Sequence, residues 1–138
     1  RTDEAHREVL SSPLFKARLE YVAKIIRTME KNIKAGDVAT IGRLAEEDSL
    51  NLHAVTMTGK AHMVLWEPET VRIIKEVQKM RREGIPVWYS IDTGPSVFVN
   101  TSTEYVEKVA DRLRRLGCSS IITSEVGGKP FLTGKHLF

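Results

Sequence analysis

The chain has 138 residues, of which 41% are hydrophobic and 28% charged, and its net charge is +3. This length and composition are typical of one globular domain, predicted over 1–138, that can bury its own core. The small charge does not indicate a nucleic-acid partner. No apolar run approaches the ~18 residues that indicate a membrane span. The single cysteine excludes an internal disulfide and indicates a reducing, cytoplasmic location.

Helical periodicity dominates the first part of the chain. Apolar residues recur every three or four positions, and Pro, Asp and Gly residues mark where the runs begin and end. The pattern predicts helices over 3–10, 14–35, 37–57 and 68–83.

The hydrophobic period then changes from that of helices to that of strands. Residues 87–91 and 96–100 are predicted strands joined by an Asp-Thr-Gly-Pro turn. A Thr-Ser-Thr-Glu capping box predicts a helix over 101–116. A second hairpin is predicted from 120–124 and 129–133, around a Gly-Gly pair. This order predicts an α+β domain whose helices pack on a four-stranded antiparallel sheet.

Asp92 stands alone between two apolar strands in the stretch WYSIDTGPSVFV. In a structural interpretation it caps its own turn while Gly94 adopts a positive φ, and residue frequencies favour this by about two to one. In a catalytic interpretation the flanking aromatic residues keep the carboxylate dry, and a cation from elsewhere in the fold pairs with it. The residues alone leave both interpretations open.

Two serines precede the 14–35 helix. Ser12, followed by proline, fits a helix N-cap, which propensity favours by about three to one. The same geometry suits a phosphate, because free N–H groups at a helix N-terminus would lie beside the hydroxyls of Ser11 and Ser12. Lys16 and Arg18 would add positive charge. The two interpretations are compatible.

Histidines and nucleotide motifs are weaker signals. Ser49 and His53 lie four residues apart and would share a helix face. The roles of Ser49, His53 and His62 stay undecided. His62 and His136 have no partners at metal-ligand spacing, so no metal site is predicted. The sequence has neither a G-x-x-x-x-G-K-[ST] loop nor a G-x-G-x-x-G fingerprint, so a nucleotide's phosphate loop would lie outside these residues.

Three segments together resemble the C-terminal half of diphosphomevalonate decarboxylases, members of the GHMP kinase superfamily. They are SSPLFKARLE at 11–20, EDSLNLHAVTM at 47–57 and YSIDTGPSVFV at 89–99. The family counterparts read T-S-P or S-S-P, S-N-x-x-H-A, and Y-T-x-D-A-G-P-N. The resemblance covers nearly the whole chain and implies a fold of the GHMP C-terminal domain type.

The resemblance implies ATP-dependent decarboxylation of a 5-phosphorylated mevalonate to an isopentenyl product. Asp92 matches the catalytic carboxylate, and Ser12 matches the serine beside the substrate phosphate. Ser11, Arg18 and Gly94 are predicted to bind substrate with them. ATP and Mg²⁺ would be bound mainly by an N-terminal GHMP domain, a predicted partner absent from this chain. Whether the protein forms a homodimer is left open. Neither a nucleic acid nor a membrane is an expected partner.

Departures from the family pattern leave the substrate open. Thr93 replaces the usual alanine, Ser96 the usual asparagine, and Ala61-His62 the usual Pro-Pro. Mevalonate 5-diphosphate is favoured over the 5-phosphate and the 3,5-bisphosphate, and the presence of Asp92 favours a decarboxylase over a 3-kinase. Two further functions stay open, namely a GHMP small-molecule kinase and a non-catalytic ferredoxin-like ligand-binding module.

Overall fold

The structure, a computed structural model, describes residues 2–118 and 120–134. Its described part is an α+β fold, which confirms the predicted class and the five predicted helices to within about two residues at most ends. The elements in chain order are α1 (Thr2–Glu8), a 3₁₀ turn (Val9–Ser11), α2 (Phe15–Ala35), α3 (Val38–Thr58), α4 (Pro68–Arg82), β1 (Val87–Ser90), β2 (Phe98–Thr101), a 3₁₀ turn (Thr103–Tyr105) and α5 (Val106–Leu116).

The core lies where α4 and α5 cover the β1–β2 hairpin. The two strands are antiparallel, with Val87 opposite Thr101 and Ser90 opposite Phe98. Burial of large apolar side chains from helix and strand, each worth about 1.5–3 kcal/mol, holds this end of the molecule together. The buried cluster comprises Ile74, Val77, Met80, Ile85, Val87, Tyr89, Ile91, Val109 and Leu113.

Helix α3 runs along the edge of β1 that faces away from β2. Gly42 allows this close approach, because a Cβ there would lie 2.3 Å from Cγ of Trp88. The backbone N–H of Tyr89 donates to Oε1 of Glu46 at 3.1 Å, and the N–H of Ile91 donates to Oγ of Ser49 at 2.9 Å. Side chains of α3 therefore bind the strand edge where another strand would otherwise pair.

The predicted four-stranded sheet is wrong, because the described residues form only a two-stranded one. No strand occurs in 120–134, and Val126, Phe131 and Leu132 in that segment are 97%, 85% and 103% exposed. A hairpin that buries no apolar face is marginal in water. The outer edge of β1 is also unavailable to such a hairpin, since α3 side chains already bind its N–H groups.

Two of the predicted helix caps are also wrong. Helix α2 begins at Phe15 with Leu14 as its N-cap, not Ser12, and no side chain caps it there. Thr101 belongs to β2 and donates to the carbonyl of Pro86 at 2.7 Å instead of opening a capping box. The described part does contain a capping box, at the start of α4, between Glu67 and Thr70. Among the described residues, no helix is both long and apolar enough to cross a membrane.

Candidate active site

Asp92 follows the last core residue after β1, at the tip of the hairpin. Its Oδ1 accepts a hydrogen bond of 2.8 Å from the N–H of Gly94, which is the turn that the structural interpretation predicts. The carboxylate is exposed, and Phe98 is 55% exposed, so the expectation that aromatic residues keep it dry is wrong. Burial of Ile91, which is 4% exposed, fixes the chain immediately before the carboxylate.

Gly94 lies close to the Asp92 carboxylate but does not have a positive φ. The positive-φ glycines in the described chain are Gly36, Gly84 and Gly117, so the predicted positive φ of Gly94 is wrong. A Cβ on Gly94 would lie 3.3 Å from Oδ1 of Asp92, a tight contact. Glycine therefore lets the carboxylate lie close to its own turn.

Asp92 lines a cavity of about 570 Å³ between α2, α3 and the end of β1. The walls are mostly apolar, with a few polar and charged side chains among them. Such a combination of apolar walls with a few polar groups is typical of small-molecule sites. The lining residues are Arg18, Val22, Ile25, Ile26, Met29, Ala45, Asp48, Ser49, Leu52, Ser90, Ile91, Asp92 and Phe98.

Arg18, which the resemblance predicts to bind substrate, lines the same cavity as Asp92. Its side chain is 14% exposed and forms a salt bridge with Asp48 of α3. The same nitrogen donates to Oδ1 of Asn51 at 3.0 Å. The salt bridge offsets the positive charge of Arg18 within the cavity and holds α2 against α3.

The structure does not bring Ser11 and Ser12 into the lining of this cavity. Oγ of Ser11 lies 2.7 Å from the carbonyl of Glu8 and accepts from the N–H of Lys60 at 2.8 Å. Ser12 is 6% exposed, and its Oγ accepts from the N–H of Leu14 at 3.1 Å. Both serines thus have local partners that connect the start of α2 to its neighbours.

Two residues of undecided role, Ser49 and His53, lie directly behind Asp92. Ser49 is 4% and His53 1% exposed. The His53 ring lies against the backbone of Asp92, its Nε2 has no hydrogen-bond partner among the described residues, and its centroid lies 5.0 Å from that of Trp66. Burial lowers the pKa of His53, while the backbone and the charge of the neighbouring Asp92 oppose this shift. The four-residue spacing of Ser49 and His53 predicts a shared helix face, but only the fold shows that this face contacts the Asp92 loop.

The remaining histidines do not join this site. His62 has a φ of 50°, and its Nδ1 lies 3.3 Å from the carbonyl of Met57, near the end of α3. His136 lies outside the described residues. Within 2–118 and 120–134, no three His, Cys, Asp or Glu side chains are grouped to hold a metal ion.

Known proteins resemble this chain in sequence. It is 39% identical over 128 residues to phosphomevalonate decarboxylase from Haloferax volcanii, an alignment that covers 92% of this chain and 39% of that relative. The chain therefore spans about two fifths of the length of this relative.

Solved structures resemble the chain in fold. Mevalonate pyrophosphate decarboxylase from Streptococcus pyogenes superposes with a TM-score of 0.81 at 25% identity, over 88% of this chain and 38% of that chain. A structure described as MDDEF in complex with MVAPP, AMPPCP and magnesium has a TM-score of 0.75 at 26% identity, over 79% and 33%. These values support the GHMP-type C-terminal fold that the three motifs imply.

The family profile described as "Mevalonate 5-diphosphate decarboxylase C-terminal domain" matches residues 2–132. The match includes Asp92 and every residue that lines its cavity. The chain belongs to the family of mevalonate 5-diphosphate decarboxylase C-terminal domains.

Proposed function

We propose that the complete protein containing this chain decarboxylates a 5-phosphorylated mevalonate in an ATP-dependent reaction, and that this chain supplies the catalytic carboxylate, Asp92. One observation carries the proposal: in a member of this family, Asp92 is an accessible carboxylate held at a strand end in the wall of an apolar cavity. The cytoplasmic location expected from the sequence remains a prediction.

The chemistry of the substrate needs such a group. A tertiary alcohol is a poor nucleophile and must lose its proton as it attacks a phosphoryl group, so a carboxylate within hydrogen-bond reach orients the hydroxyl or accepts the proton. Loss of phosphate then leaves positive charge developing at the same carbon, which a fixed anion stabilises. The apolar walls formed by Val22, Ile25 and Leu52 suit the hydrocarbon part of the substrate.

ATP and Mg²⁺ would be held mainly outside this chain. The sequence lacks a phosphate-binding loop, and the other acidic residue in the cavity lining, Asp48, already forms a salt bridge with Arg18. A similar structure contains AMPPCP and magnesium, which supports nucleotide use by the family. Bound ATP would supply the transferred phosphoryl group, and an N-terminal GHMP domain is the proposed partner that holds it.

The proposal also covers the number of phosphates on the substrate. The relative at 39% identity is named for phosphomevalonate, whereas the structural neighbours at 25% and 26% are diphosphomevalonate enzymes or complexes. We therefore place mevalonate 5-phosphate first and the 5-diphosphate, which the motif resemblance favours, second. Steady-state assays with both substrates on the same preparation distinguish them by kcat/KM.

The decisive experiment is Asp92→Asn in the complete protein, assayed by ATP-dependent release of carbon dioxide and phosphate. Asparagine retains the oxygen that accepts from Gly94, so the turn survives and only the charge is lost. We expect kcat to fall by roughly 10²–10⁴-fold, the usual range for a positioned acid or base, with little change in KM. Asp111→Asn, at an exposed position on α5, is the matched control.

Two outcomes would count against the proposal. A kcat for Asp92→Asn within threefold of the parent, about 0.65 kcal/mol by transition-state arithmetic, would end the catalytic assignment. Complete absence of carbon dioxide release from the parent protein with either substrate would instead favour the ligand-binding module, in which Asp92 serves only its turn.

A further inference from the structure

Three buried polar side chains converge on the loop that carries Asp92. In the described part of the chain, five polar side chains are buried. Ser49 and Thr70 among them form hydrogen bonds to residues 91–95, and His53 lies against the backbone of Asp92. A buried polar group is costly unless it is hydrogen-bonded. Three of the five buried polar side chains therefore lie against the loop that contains Asp92.

Helix α3 holds the loop on its N-terminal side. Oγ of Ser49 donates to the carbonyl of Ala45 at 2.8 Å within its own helix, and accepts the N–H of Ile91 at 2.9 Å. One turn further along, the buried His53 ring lies against the backbone of Asp92. Both contacts lie within one residue of the carboxylate.

Helix α4 holds the loop on its C-terminal side. Thr70 is 1% exposed, and its Oγ1 donates to the carbonyl of Pro95 at 2.7 Å while accepting the N–H of Glu67 at 3.2 Å. Because Thr70 is part of the capping box that begins α4, its position is set by that helix end. The loop is thus bound from two different helices.

This arrangement suits a group whose position matters for a rate. The tip between the strands has no strand pairing, and the carboxylate at its start is exposed. Misplacement of a reacting group by about 1 Å can cost about 100-fold in rate. Rigid contacts behind the loop would keep the carboxylate in place while leaving its solvent-facing side free for substrate.

We propose that Ser49, His53 and Thr70, here called the Asp92 clamp, are positioning residues that hold the loop 91–95 so that the Asp92 carboxylate meets the substrate hydroxyl in reactive geometry. The inference rests on the proposed function, because it gives that site its supporting contacts. Ser49 also lines the cavity, whereas His53 and Thr70 are not among its lining residues, so the Thr70 variant tests positioning apart from substrate contact.

The test uses Ser49→Ala and Thr70→Val in the complete protein, each of which removes a hydroxyl with little change in shape. We expect kcat to fall by about 10- to 100-fold with KM within about twofold, because the lost interaction matters mainly in the transition state. Ser49→Thr, which retains the hydroxyl, should restore most of kcat. Assays are run well below each variant's melting temperature.

Thr56→Val is the matched control. Thr56 is also fully buried on α3, but its Oγ1 donates to the carbonyl of His53 at 2.9 Å, within its own helix. We expect Thr56→Val to lower the melting temperature as the clamp variants do and to keep kcat within about twofold. If the loss of any buried hydroxyl lowered kcat, the fall would be similar in Ser49→Ala, Thr70→Val and Thr56→Val.

Hydrogen–deuterium exchange of the peptide over 89–96 gives a readout independent of activity. Exchange should accelerate in Ser49→Ala and Thr70→Val and not in Thr56→Val. The clamp is overturned if exchange is unchanged in both clamp variants or if kcat stays within twofold of the parent in both. It is also overturned if Thr56→Val loses as much kcat as they do. Asp92→Asn in the same assay separates the failures: if it retains turnover, both proposals fall, and if it loses turnover while the clamp variants do not, the clamp alone falls.

Discussion

At the residue scale, Ser12 has a hydroxyl proton that is already in use. Oγ of Ser12 lies 2.7 Å from Oγ1 of Thr58, and Oγ1 of Thr58 donates to the carbonyl of Ala54 at 2.6 Å. Since a hydroxyl has one proton, Ser12 is the donor to Thr58. An ionised phosphate oxygen only accepts hydrogen bonds, so Ser12 must release Thr58 before it can donate to a substrate phosphate.

A pair of variants tests whether Ser12 makes that exchange. In the complete protein we expect Ser12→Ala to raise KM for the phosphorylated substrate, since a hydrogen bond to a charged group contributes about 1.5–3 kcal/mol. Thr58→Val removes the same internal bond but leaves the Ser12 proton available, so its KM should not rise. Equal KM values for the two variants in steady-state kinetics would leave Ser12 as a structural residue only.

At the scale of elements, α3 replaces a strand at the edge of β1. Glu46 is central to this contact: its carboxylate binds Arg81 of α4 through two hydrogen bonds, of 2.8 and 3.0 Å, and accepts the N–H of Tyr89. The Glu46 side chain is 12% exposed and that of Arg81 is 33% exposed, so the carboxylate is the more shielded partner. One carboxylate thus connects two helices and the strand that leads to Asp92.

Removal of this carboxylate should destabilise the fold. We expect Glu46→Ala to lower the free energy of unfolding by about 1.5–3 kcal/mol, because it leaves Arg81 and a strand N–H without their acceptor. Glu20→Ala, at an exposed position on α2, should stay within about 0.5 kcal/mol of the parent. Urea denaturation measures both, and equal midpoints for the two variants would show that water replaces Glu46 at no cost.

At the scale of the whole molecule, the proposed function makes this chain one part of a reaction site. It spans about two fifths of its Haloferax volcanii relative and contains Asp92 but no phosphate-binding loop. Catalysis requires the phosphoryl donor and the carboxylate to be held in one geometry. In the proposed site, the cavity in this chain provides only the carboxylate.

The isolated 138-residue chain is therefore expected to be inactive. Given ATP, Mg²⁺ and either phosphorylated mevalonate, it should release neither carbon dioxide nor phosphate above a no-protein control, because its sequence contains neither phosphate-loop motif. Circular dichroism on the same sample confirms that the helices are formed. ATP-dependent carbon dioxide release by the isolated chain would contradict this division of the site.

Local sequence determined the helices, the β1–β2 hairpin and the residue at its tip. Their signals are short-range: apolar spacing sets the helical faces of α2 and α4, glycine ends a helix, and an Asp-Thr-Gly-Pro stretch turns the chain. Motif resemblance added the family and the choice of Asp92, since neither periodicity nor spacing decides between a turn residue and a catalyst.

Only the tertiary structure decided which side chains meet. The sequence could not show that Ser49 and Thr70, 21 positions apart, bind two sides of one loop. It also could not show that Asp48 forms a salt bridge with Arg18. Nor could it show that 120–134 form no strand, although the local pattern there favoured a hairpin. In each case the outcome depends on how elements distant in sequence pack together, because buried polar groups take whatever partners that packing places within reach.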